Sequence, residues 1–149
     1  MTRTLFFDLD GTIADLYGVA DWLEDLINHN PRPYKEAKVM VNMSLLARLL
    51  NRLQANGYRV GVISWLSKNS TTEYDEEVTQ AKLEWLSRHL NSVGFDEINI
   101  VAYGTPKSNF ATKNDILFDD EIANRENWIG SAFPPNEIIS TLKTLASSL

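Results

Sequence analysis

The chain has 149 residues, a formal net charge of −6 and no cysteine. That length holds one hydrophobic core and leaves little room for a second. The acidity opposes binding of a long nucleic-acid duplex, and without thiols there is no disulfide, thiolate nucleophile or cysteine-ligated metal. The first apolar run breaks at Asp8, far short of a membrane span, and no basic leader precedes it, so the expected setting is the cytoplasm with no membrane partner.

In chain order, TLFFDL reads as a buried strand that stops at an acidic turn. Residues 13–42 are less regular. Leu16, Val19, Trp22, Leu23 and Leu26 have helical spacing, and the prolines of PRPYKEAKVMV forbid one continuous helix, so this segment reads as an insertion. SLLARLLNRLQANG is a clear amphipathic helix, with Ser44 as the expected cap and Gly57 as the stop. YRVGVIS is a second strand, residues 67–75 are polar and turn-like, and Glu76–Leu90 is a second helix. INIVAYG, DILF and a short WIGSAF supply further strands, and Pro134 and Pro135 start the last helix. Strands alternating with helices predict an α/β fold, a three-layer Rossmann-like domain over 1–149 with a mostly parallel sheet. The insertion at about 14–43 is expected to form a small helical cap.

In such a sheet the binding crevice lies beyond the carboxyl ends of the strands. The notable polar residues fall there: Asp8 and Asp10 after the first strand, Ser64 at the end of the second, Lys107 after the third, Asp119 and Asp120 after the fourth. Asp8 and Asp10, two residues apart, face the same side of an extended chain, and like charges so close require a positive partner. Clustered oxygen donors without cysteine suit a hard divalent cation, and magnesium beside a phosphate is the expected case. A carboxylate nucleophile, a cation and a lysine are the parts that phosphoryl transfer requires.

FFDLDGT, the hydroxyl ending VGVIS, the lysine of TPKSN and the acidic pair of LFDDE resemble, in order, the four motifs of the haloacid-dehalogenase-like phosphohydrolases. The resemblance implies that Asp8 is the nucleophile, forming an aspartyl-phosphate and binding magnesium. Asp10 would be the acid and then the base, with its backbone carbonyl on the metal. Ser64 would bind the phosphoryl group, Lys107 would neutralise nucleophile and intermediate, and Asp120 would hold the metal with Asp119 as second ligand or orienting group. Lys113 also precedes LFDD, but Lys107 follows its strand more directly. Where many members carry a further aspartate, this chain has Asn124, which makes the outer metal shell less acidic. Thr12 is expected to support the loop after Gly11, and His29 and His89 to be structural or exposed.

Residues 17–26 and the helix around EYDEEVTQAKLEWLSRHL further resemble the small-cap 5'(3')-deoxyribonucleotidase-like branch. That implies a small phosphorylated metabolite as partner, a nucleotide in particular, with Tyr17, Trp22 and Trp65 as aromatic contacts to a base. The competing expectation for Trp22 and Trp85 is a place in the core. A nucleic-acid 3'-end phosphatase is an alternative on the same fold, opposed by the acidity and by the lack of a basic tract around Arg3, Arg59 and Lys68. A phospho-accepting signalling domain of the receiver type is the alternative from another class. It would carry its acidic pair first and its lone acceptor aspartate later, the reverse of the order here.

Overall fold

A computed structural model describes residues 2–149. Its sheet has five strands in the order β5-β4-β1-β6-β7, every neighbouring pair parallel. The strands are β1 (Thr4–Phe7), β4 (Arg59–Trp65), β5 (Glu97–Val101), β6 (Ile116–Phe118) and β7 (Ser131–Phe133). β2 (Ala14–Asp15) and β3 (Lys38–Val39) form a separate antiparallel ribbon at the two ends of the inserted segment. Between them lie α1 (Trp22–Ile27) and α2 (Arg32–Glu36); the longer helices are α3 (Met43–Ala55), α4 (Thr72–His89) and α6 (Ile138–Ser147), and α5 (Ile122–Glu126) is short. Among the described residues no helix is long and apolar enough to cross a membrane.

Alternation along β1 divides the core. Leu5 and Phe7, with Val60, Val62, Ile116 and Phe118, pack against the leucines of α3, Trp85 and Leu86 of α4, and Ile138 and Leu142 of α6. Phe6, with Ile63 and Leu117, points to the opposite face, where Trp128 and partly buried Phe110 cover it. The cover there is thinner because the link from β5 to β6 crosses as a single 3-10 turn at Lys107–Phe110. That turn is what brings Lys107 beneath the sheet ends.

Three local boundaries differ from the sequence expectation. Asn42, not Ser44, caps α3, its side chain accepting from Leu45 N at 3.1 Å; asparagine is as good a cap as serine, and the earlier cap brings Met43 and Ser44 into the helix. α4 starts at Thr72, because Thr71 caps it and Glu73 and Asp75 favour its N-terminal dipole. The helix expected through Leu16–Leu26 is broken into a 3-10 turn at Leu16–Gly18 and the short α1. Asp15 accepts from Gly18 N at 3.0 Å, closing a turn in place of a helix, and Asp21 takes a left-handed φ of 63°.

Candidate active site

The site begins where β1 stops. Asp8 N still donates to Phe118 O, so the carboxylate leaves the sheet from a residue whose amide is still bonded to β6. Leu9 O then accepts from the amides of Thr12, Ile13 and Ala14, closing a tight loop. Gly11 has φ +80° in that loop, and a Cβ there would collide with the Asp120 carboxylate and the Tyr17 ring. The glycine of DGT is therefore fixed by both conformation and space.

Lys107 joins two of the acids. Its ammonium lies 3.0 Å from Asp8 Oδ1 and 2.7 Å from Asp119 Oδ2, with all three residues buried. Burial pulls the lysine's pKa down, but Asp8 and Asp119 together more than reverse this, and the ammonium is held above its ordinary value. Lys113, the rival in sequence, is exposed on the surface. Thr12 Oγ1 donates to Asp8 Oδ2 at 2.9 Å and accepts from Asp120 N at 3.1 Å, so it ties the first acidic motif to the last.

One oxygen from each of Asp8, Asp119 and Asp120 lies within 4.8 Å of the others. Burial, and then Asp8, push the Asp120 carboxyl up to about 7, the behaviour of a carboxylate cluster short of positive charge. The oxygen-only donor set and this repulsion fit a hard divalent cation. Asp119 is also raised, by burial first and Asp8 second. Its Oδ1 accepts from Glu121 N and its Oδ2 from Lys107 and from Asn124 Nδ2 at 3.2 Å, so both oxygens already have donors. Asn124 thus helps to orient Asp119.

Asp10 stands apart from this cluster. Its Oδ2 pairs at 3.1 Å with Lys82 Nζ, a lysine that the sequence reading missed. The available signal was a cation on the buried stripe of α4, between Val78 and Leu86. Ser64 is fully buried; its Oγ accepts from the same Lys82 at 2.7 Å, and it sits behind the crevice wall instead of lining it.

The crevice has a volume of about 250 Å³. Asp8, Asp10, Lys107 and Asp119 form its floor, and Tyr17, Trp22, Tyr34, Trp65 and Tyr103 its aromatic walls. Trp65 is fixed by Nε1–H donation to Thr105 O and lies 5.5 Å beneath the Lys107 ammonium. Trp22 packs edge-on against Tyr17, at the crevice and outside the core, whereas Trp85 is buried in the core. Neither histidine lines the crevice: His29 stacks on Tyr74, and His89 lies against Trp85.

No family model and no curated protein matches the sequence. Solved structures do. The D,D-heptose 1,7-bisphosphate phosphatase of Burkholderia thailandensis is similar over 97% of this chain and 99% of its own, at 14% identity and a TM-score of 0.59. A Mesorhizobium loti protein assigned as a HAD-like phosphatase is similar over 97% and 87%, at 14% identity and a TM-score of 0.54. The chain has the haloacid-dehalogenase-like fold.

Proposed function

We propose that the protein is a magnesium-dependent phosphomonoester hydrolase that works through an aspartyl-phosphate at Asp8. The observation that carries this reading is the Lys107 ammonium shared between Asp8 and Asp119 at the strand ends, beside a three-carboxylate cluster that calls for a cation. The phosphatases that share the fold support the reaction class. Asp8 and Asp120 would hold the cation, with the Asp10 carbonyl as a further contact and Asp119 as the orienting group; when bound, the cation neutralises charge on the phosphoryl oxygens.

Asp8 attacks phosphorus as the ester P–O bond breaks, and Asp10 gives its proton to the leaving oxygen. Water then attacks the phosphorus of the acyl phosphate and loses a proton to Asp10, releasing inorganic phosphate and freeing Asp8. Lys107 stabilises the charge on Asp8 and on the transferred group throughout. Residues 14–43 act as a small cap that leaves the crevice open. Aromatic walls on both sides favour a planar leaving group, which supports a nucleotide as substrate.

The test is phosphate release with magnesium from 5'- and 3'-mononucleotides, sugar phosphates and a 3'-phosphorylated oligonucleotide. Selective release from mononucleotides, lost with EDTA and in Asp8→Asn, is the expected result. Release from the oligonucleotide alone would move the assignment to end processing. A lasting phosphoryl group on Asp8 without turnover would make the chain a signalling domain.

A further inference from the structure

The Lys82 side chain is 2% exposed, and its ammonium has three acceptors: Asp10 Oδ2 at 3.1 Å, Ser64 Oγ at 2.7 Å and the Trp65 carbonyl at 2.7 Å. An ammonium carries three N–H donors, so these contacts use its full capacity. The Tyr34 ring of the inserted segment closes over it, with its centroid 5.1 Å from Nζ. Lys82 does not line the crevice, whereas Asp10 does. A buried ammonium paired with one carboxylate is a weak source of stability, because desolvation offsets much of the attraction. Its use lies in geometry.

We propose that Lys82 is the positioning residue for Asp10. It holds Oδ2 as an acceptor, which leaves the other carboxylate oxygen to carry the proton to the leaving group and take it back from water. The anchors on Ser64 and the Trp65 carbonyl belong to β4, so the acid is referenced to a central strand and not only to its own loop. Ser64 thereby acts on the acid through Lys82. The alternative, that Lys82 grips the phosphoryl group directly, would require it to give up one of its three contacts.

This inference rests on the phosphatase reading, and leaving-group dependence separates the two. p-Nitrophenyl phosphate expels a stable anion and needs little help from an acid; an alkyl phosphomonoester needs the proton. Lys82→Met preserves the aliphatic packing and removes the donors. It is expected to lower kcat/KM for the alkyl ester about 100-fold, within the range of general acid catalysis, and that for p-nitrophenyl phosphate by less than about fivefold. Inhibition by inorganic phosphate should be unchanged within about twofold, since a positioning residue adds no contact to the phosphoryl group. Equal losses on the two esters, or weakened phosphate inhibition, would overturn the assignment in favour of direct anion binding. No loss on either ester would overturn it outright. If Lys82→Met does not fold, Lys82→Gln keeps a neutral donor and should show the same selectivity to a smaller degree; equal losses there would overturn the proposal as well. A wild-type protein that releases phosphate from neither ester would remove the phosphatase reading itself, a result distinct from all of these.

Discussion

The floor and the outer wall of the crevice are built on different principles. On the floor, Asp8, Lys107 and Asp119 are buried, every one of them is bonded, and each leaves a paired strand or a tight turn. On the wall, α1 contributes no buried residue, Tyr17 is 47% exposed, and Leu23 and Ile27 are more exposed still. The wall is tied down by a half-buried Arg32, which reaches Asp25, Glu36 and the Ala20 carbonyl. The floor is over-determined and the wall is not, so the reaction should tolerate almost no change and the choice of substrate a good deal.

The largest effect expected is at the floor. Asp8→Asn should lower turnover by about 10⁴-fold or more, as loss of a nucleophile does, read by phosphate release from folded protein; wild-type activity in that variant would sink the mechanism. Lys107→Met should cost about 10²- to 10³-fold in kcat, the range for removing a charge-stabilising donor. It should also lower the melting temperature, because Asp8 and Asp119 are left buried without their partner. At the wall, Trp22→Ala should raise KM for a nucleotide about tenfold with kcat nearly unchanged, in keeping with loss of a stacking contact. A fall in kcat comparable to that of Lys107→Met would erase the distinction between floor and wall.

The smallest effect is one of pH. The Asp120 carboxyl is raised from 3.8 to about 7, so the folded metal-free chain keeps a proton that the unfolded chain has already lost. Its stability should therefore fall as pH rises from 3.8 through about 7. Magnesium, which binds the deprotonated cluster, should raise the melting temperature at pH 8 and do little at pH 5. The opposite order, with a larger shift at pH 5, would place the cation away from Asp120.

Much of the floor was legible in the sequence, because strand periodicity and the acidic turns directly place Asp8, Asp119 and Asp120 at neighbouring strand ends. The partner of Asp10 was not. A lysine on an amphipathic helix ordinarily reaches solvent, and only the packing of α2 on α4 shuts Lys82 in. For Ser64, strand position told where the residue lies but not that its hydroxyl would be taken from behind by that lysine. The cap was hardest to read, since helical spacing at Leu16–Leu26 yields to one local bond from Asp15 to the Gly18 amide. The aromatic walls follow from residues far apart in sequence, Tyr17 and Trp22 on one side and Trp65 and Tyr103 on the other, and no local pattern joins them.

The strand that leads into Asp8 is the third of five, bonded on one side to β4 and on the other to β6. Leu5 therefore waits for Ile116 before its second neighbour exists. Pairing across so long a stretch of chain is slow to form, since loop closure must precede the contacts that reward it. During synthesis the DxD loop emerges before its charged partners, and Lys107, Asp119 and Asp120 emerge last among them. Nascent chains should thus stay catalytically silent until the final third has folded, and amide exchange at Phe6 and Phe7 should report the opening of the whole molecule while α1 exchanges by local fraying.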